Sequence, residues 1–166
     1  MKILFLLLLP LLLFSAKQAT LQDLYNLSLS QKQILHKTYQ LAKPFDLHLT
    51  MCAIAWKESS FGTDLRNDKT KDYGVFQINL KTFKNMYYLN GGILSDKEIA
   101  DELVKNYDLN FLTAIGVLKY WQIAYPSRWL RVYQGYNGGY TGKGRAYAHK
   151  IMHRVRLLKQ YFKDFE

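Results

Sequence analysis

Residues Leu109–Tyr125 read LNFLTAIGVLKYWQIAY, a run of seventeen residues that is apolar on nearly every helical face. Leu109, Phe111, Leu112, Ile115, Val117, Leu118, Trp121 and Ile123 recur at helical spacing, and alternation of the strand type is absent. A helix apolar all round is buried in a core or spans a bilayer. Asn110, Lys119 and Gln122 within so short a stretch disfavour the bilayer, so the run predicts a central buried helix. Working outward, the same periodicity predicts helices near 20–28, 30–42, 47–58, 80–88, 96–106, 128–135 and 144–163. Ser30 with Gln33 and Ser95 with Glu98 fit the capping box, and Asp46 and Asp108 stand just before apolar runs as further caps. The expected fold class is all-α, with a minor β excursion near residues 74–79.

The N-terminus differs in kind. Met1–Ala16 reads MKILFLLLLPLLLFSA: one basic residue, twelve mostly apolar residues, then two small ones, the pattern of a secretory signal peptide. A permanent anchor is the alternative, but twelve helical residues reach only about 18 Å against a hydrocarbon core of ~30 Å. Pro10 interrupts the run as well. The expectation is a signal peptide over 1–16 and one domain over 17–166, with no stable membrane span after processing and a periplasmic or extracellular location. The bulk of Phe14, close to the cut, leaves the cleavage point open, and with no cysteine nearby a lipid anchor is not expected.

Composition fits this picture. Of 166 residues, 49% are hydrophobic and 22% charged, which excludes a disordered tail, and a single cysteine excludes a disulfide scaffold. Cys52, between Met51 and Ala53, reads as a small buried hydrophobe. The net charge of +10 favours polyanions; export away from the genome makes nucleic acid an unexpected partner and an acidic wall polymer the better one. The basic residues of the last predicted helix, from Lys143 to Lys163, are either a solvated face or a contact for such a polymer. Between Ser59 and Tyr73 lies a polar, charge-balanced stretch that reads as a surface loop; it lacks the calcium-loop spacing. His149 and His153 are spaced as a zinc pair might be but lack the accompanying glutamate, so no metal is expected.

The chemistry centres on the helix 47–58. Leu47, Met51, Ile54 and Glu58 are spaced 4, 3 and 4 and so share one face, which makes Glu58 the continuation of an apolar stripe, with Lys57 on the wetter side. It also stands at a helix C-terminus, where the macrodipole disfavours negative charge. Both effects raise a carboxyl pKa, as a general acid working near neutrality requires. The plainer alternative is a solvated glutamate that begins the loop.

Three segments in order, Glu58-Ser59-Ser60-Phe61, Gly74-Val75-Phe76-Gln77-Ile78-Asn79 and Tyr136-Asn137-Gly138-Gly139, resemble the E-S, G-L-M-Q-[IL] and A-Y-N-A-G motifs of lytic transglycosylases, enzymes with a goose-type-lysozyme-like catalytic domain. Arg145–Ile151 is similar to the family's closing Y-V-x-x-[IV] pattern, and the likeness covers roughly residues 46–155. The resemblance implies a lysozyme-like fold, peptidoglycan strands as substrate, no cofactor, and Glu58 as a single catalytic acid and base. Ser59 would orient, Gly74 let the backbone pass close to substrate, and Gln77 hold a sugar amide or hydroxyl. Tyr136, Asn137 and Tyr147 would place two phenols and an amide near the acid. Gly74 is equally an ordinary turn glycine, Gln77 a solvated amide and Tyr147 a core tyrosine. Val75-Phe76 in place of Leu-Met, and Gly138 in place of Ala, depart from the pattern and bear on subsite shape. Tyr87, Tyr88, Trp129, Tyr133 and Tyr140 flank the motifs as groove or core residues.

The implied reaction cleaves the β-1,4 bond between N-acetylmuramic acid and N-acetylglucosamine and leaves 1,6-anhydromuramoyl ends. A hydrolytic muramidase on the same scaffold, in which an aspartate such as Asp72 positions water, and a non-catalytic wall-binding or assembly protein, are the alternatives. Whether the work is wall turnover, passage for secretion or cell-envelope machinery, or attack on another cell is left open.

Overall fold

Thr20, Ser28 and Ser95 each open a helix with the same device, a hydroxyl accepting from the third residue on while that residue's side chain bonds back to the cap amide. The computed structural model describes residues 18–87 and 94–164, so the expected signal peptide and Tyr88 lie outside the described residues. The three boxes start α1 (Leu21–Tyr25), α2 (Leu29–Ala42) and α5 (Asp96–Lys105). Ser95 with Glu98 is as expected, but the box of α2 is Ser28 with Gln31, two residues before the expected pair. In that register Gln31 serves twice: its Oε1 accepts from the Ser28 amide and its Nε2 donates to the Ser60 carbonyl, both at 2.9 Å. Starting there cuts the first helix short at Asn26.

Two aspartates expected as caps are not caps. Asp46 has φ 55° and closes a 3-10 turn, Lys43–Phe45, so α3 (His48–Ser59) starts from Leu47 without a side-chain cap. Asp108 falls within the first turn of α6 (Tyr107–Ala124), whose cap is Asn106 accepting from the Leu109 amide at 3.0 Å. The remaining helices are α4 (Leu80–Met86), α7 (Trp129–Gly138) and α8 (Arg145–Lys163). Because α7 runs three residues further than expected, Tyr136 and Asn137 stand on a helix and not in the connection that follows it.

The β component is larger than expected and begins earlier. β1 (Arg66–Asn67), β2 (Asp72–Tyr73) and β3 (Ile78–Asn79) form an antiparallel sheet in the order β1-β2-β3, with Arg66 opposite Tyr73 and Asp72 opposite Asn79. The polar stretch after Ser59 is therefore partly a hairpin.

The central helix is α3. Met51 to Trp56 are all buried, and α3 packs against α2 and α8. Cys52 is completely enclosed, its thiol 3.6 Å from the Leu35 carbonyl. α6, expected in that role, is buried on one side only. It packs on α5, α7 and β3, while Leu112 and Ile123 on its outer face are 55% and 81% exposed. Among the described residues no helix is long and apolar enough to cross a membrane. Asn110, inside α6, is fully buried and clamps the sheet: its amide donates to the Tyr73 carbonyl at 2.8 Å and its oxygen accepts from the Phe76 amide at 2.9 Å. His153, on α8, bonds the Ala19 carbonyl at 2.8 Å and ties the N-terminal segment down.

Candidate active site

Glu58 is the penultimate residue of α3, and the other members of its stripe, Leu47, Met51 and Ile54, are all buried. Glu58 itself is half-buried, at the end of the helix where the backbone dipole is unfavourable to an anion. Burial raises its carboxyl above the ordinary carboxylate range. The Tyr147 hydroxyl, Lys57 and Arg154 pull it down, and the charge of Asp72 pushes it up again. Lys57 is not on a wetter side: it is half-buried too, with Nζ 5.8 Å from the centre of the Tyr147 ring.

Two tyrosines from different helices meet this carboxyl. Tyr147, on α8, is buried, and its hydroxyl has no hydrogen bond of good geometry. The polar group it acts on is Glu58: the phenol draws the carboxyl down, while burial and then the Glu58 charge push the phenol well up. Tyr136, on α7, donates to the Phe76 carbonyl at 3.2 Å, and burial followed by the Glu58 charge raises its pKa as well. The two rings stack, 6.5 Å apart and 10° from parallel. Both phenols therefore stay protonated, and can donate, throughout the range in which a carboxyl titrates.

Glu58 opens onto a cleft of about 880 Å³ walled by the sheet, α4, α6 and α7. Gln77 lines it from the β2–β3 turn with φ 46°, and its amide nitrogen donates to the Gly74 carbonyl at 2.8 Å and the Asp64 carbonyl at 3.2 Å. With both hydrogens engaged, the amide oxygen is the part left for a ligand's donor. Asn137 is exposed at the edge. Asp72 faces the same cleft from β2 and accepts from Asn79 Nδ2 at 2.9 Å. The cleft thus contains a sheltered acid, a second carboxyl, amides on both sides and the aromatic faces of Tyr120 and Trp121. Such a set can protonate an ether oxygen and hold a polar chain alongside it.

The transglycosylase SLT domain model matches residues 38–152. The chain belongs to that family. Its mainly helical arrangement with a small sheet is the lysozyme-like fold of SLT domains, and the function that goes with the family is of the transglycosylase type, on peptidoglycan. The chain is also similar to an uncharacterized 20.7 kDa protein in the vs-regB intergenic region of Enterobacteria phage T4, at 30% identity over 126 residues, covering 75% of this chain and 69% of that one. No solved structure gives a significant match.

Within this SLT domain, Glu58, Gln77, Tyr136 and Asn137 meet at the cleft, and Tyr147 stands behind Glu58. Ser59 and Gly74 do not reach it. Ser59 is 1% exposed; its hydroxyl donates to the Val75 carbonyl at 2.8 Å and accepts from the Gly62 amide at 2.9 Å, so it binds the protein and not substrate. Gly74 has φ 78°, and a Cβ there would lie 2.3 Å from Asn110 Nδ2 and from the Leu103 carbonyl, so the close approach it permits is to α6 and α5. Of the flanking aromatics, Trp129 and Tyr133 line a separate hollow of about 500 Å³, and Tyr87 bonds Thr113 at 3.3 Å away from the cleft. Tyr140 is 71% exposed at the rim, bonded to the Tyr120 hydroxyl and edge-on to Trp121.

Sequence reasoning did not place Asn79, Tyr120 and Trp121 in the cleft, and treated Asp72 as part of a loop. The Asp72–Asn79 pairing was available as a hairpin register; the positions of Tyr120 and Trp121 depend on which side of α6 is left uncovered.

Proposed function

We propose that the protein is an exported lytic transglycosylase that cleaves peptidoglycan strands between N-acetylmuramic acid and N-acetylglucosamine, with Glu58 as its acid and then its base. The observation that carries this reading is a half-buried carboxyl at a helix end, opening onto a cleft of about 880 Å³ whose lining includes Gln77, Asn137 and Asp72. In the first step the protonated Glu58 gives its proton to the bridging oxygen, and the bond from muramoyl C1 to that oxygen breaks. The carboxylate then takes the proton of the muramoyl C6 hydroxyl as that oxygen bonds to C1, which closes the 1,6-anhydro ring and returns Glu58 to its acid form. The balance needs no water and no cofactor. Holding C6–OH near C1 makes the second step intramolecular, where orientation contributes several kcal/mol. Gln77 and Asn137 hold the acetamido and hydroxyl groups, and Tyr147, with the Tyr136 ring stacked on its own, orients the carboxyl. Export rests on the signal-peptide pattern of residues 1–16.

Asp72 favours a second reading, hydrolysis. A second carboxyl lining the same cleft as the acid is a pairing glycosidases use to stabilise an oxocarbenium ion or activate water. Mass spectrometry of digested glycan separates the two, because an anhydro end is lighter by one water than a reducing end. Binding of sacculi with no cleavage by the wild-type protein would instead identify a wall-binding protein.

A further inference from the structure

Arg154 lies seven residues after Tyr147 on α8, so the two share a helix face two turns apart. Its guanidinium sits over the Trp56 ring, 5.1 Å from the ring centre, and Trp56 precedes Glu58 by two residues on α3. Trp56 is 7% exposed and stacks in turn on Phe61. The cation is therefore held in the α3–α8 interface behind the acid and away from the cleft, which it does not line. It is half-buried, and its Nε is enclosed with no hydrogen-bond partner. A cation partly removed from water at such a place is destabilising unless its charge acts on something nearby. The groups its field reaches are Tyr147, then Asp23 from the first turn of α1, and after them Glu58.

We propose that Arg154 is a positioning residue for the Glu58 acid, its stacking on Trp56 fixing the helix end that carries Glu58 and its charge contributing, after the Tyr147 hydroxyl and Lys57, to the pH range over which the acid works. This rests on the reading of Glu58 as the acid and adds to it a residue outside the motif set. The groups facing Glu58 are Lys57 on its own helix, Asp72 from β2, Tyr136 from α7, and Tyr147 and Arg154 from α8. Burial, and less strongly Asp72, raise the carboxyl; the Tyr147 hydroxyl first, then Lys57 and Arg154, limit the rise. Without that limit the acid is too weak to give up its proton readily, and the carboxylate needed for the second step forms only at higher pH.

The test is the pH dependence of kcat and kcat/KM on purified glycan strands for Arg154→Leu, Arg154→Lys and Glu58→Gln beside wild type, with thermal melting as the check of folding. Arg154→Leu is expected to move the alkaline limb to higher pH and to lower kcat at the wild-type optimum by about three- to tenfold, with KM changed less than about twofold. Arg154→Lys, which keeps the charge, is expected to return the limb towards its wild-type position. Arg154→Gln keeps a planar group over Trp56 and carries the same test if the leucine variant melts below the assay temperature. A folded Arg154→Leu or Arg154→Gln with the wild-type limb overturns the role of Arg154. Cleavage surviving in Glu58→Gln overturns the assignment of the acid itself.

Discussion

The Ser59 hydroxyl donates to the Val75 carbonyl at 2.8 Å, joining the end of the helix that carries Glu58 to the turn that carries Gln77. The same oxygen accepts from the Gly62 amide at 2.9 Å. One small side chain thus ties the helix end that carries the acid to the turn that carries Gln77. Ser59→Ala leaves a buried carbonyl and a buried amide unpaired, and unfolding by urea is expected to show a loss of about 1–3 kcal/mol. Activity should fall in the same variant with the shape of the pH profile kept, because no titrating group has been removed.

Gly74 makes a sharper prediction. Its φ of 78° and the 2.3 Å approaches that a Cβ would make to Asn110 and Leu103 act together. Gly74→Ala is expected to cost about 2–5 kcal/mol, from left-handed backbone strain and overpacking combined. Since Asn110 clamps the sheet through Tyr73 and Phe76, the variant should also lose protection of those amides in hydrogen exchange.

Burial of Glu58 makes stability depend on pH. In the unfolded chain the carboxyl ionises near its ordinary value of about 4.3; in the folded protein it holds its proton to higher pH. Between those two values the folded state binds more protons, so the stability present at low pH is lost as pH rises through the folded value. Glu58→Gln lacks this loss. Its melting temperature should be close to wild type near pH 4 and above it at pH 7; a constant difference across that range would show that Glu58 is not raised by folding.

Local signals carried most of the fold, and long-range ones carried the rest. The Ser95–Glu98 box starts α5 as its sequence implies, because capping is settled within four residues. The choice between Ser28 and Ser30 depended on the Ser60 carbonyl, twenty-nine positions beyond Gln31. α6 is apolar all round in sequence, yet its Leu112 and Ile123 face solvent, since periodicity does not say which neighbours a helix will have. At the site, Glu58 was legible from the buried stripe it ends. Ser59 and Gly74 were legible as constrained positions but not as structural ones, because the atoms that constrain them come from Val75, Asn110 and Leu103. Asp72 was legible as a candidate carboxyl but not as a strand residue, because a two-residue polar strand has no alternation to read.

Asp72 separates the two readings of the reaction. Asp72→Asn keeps the hydrogen-bonding shape beside Asn79 but removes the charge that faces Glu58. If the muramoyl C6 hydroxyl is the nucleophile, the variant should retain a substantial fraction of wild-type cleavage and the same anhydro ends. A drop of about 10²-fold or more, with reducing ends in the wild-type digest, would assign Asp72 the water-directing or ion-stabilising role instead.

Glu58→Gln removes one proton-bearing group and little else. Wild type and variant are incubated with purified sacculi, and the soluble products and pelleted protein are quantified side by side. The account predicts that wild type releases fragments with anhydromuramoyl ends, while Glu58→Gln binds the sacculi equally well and releases none above background. Fragments released by a folded Glu58→Gln at a rate near wild type would contradict it.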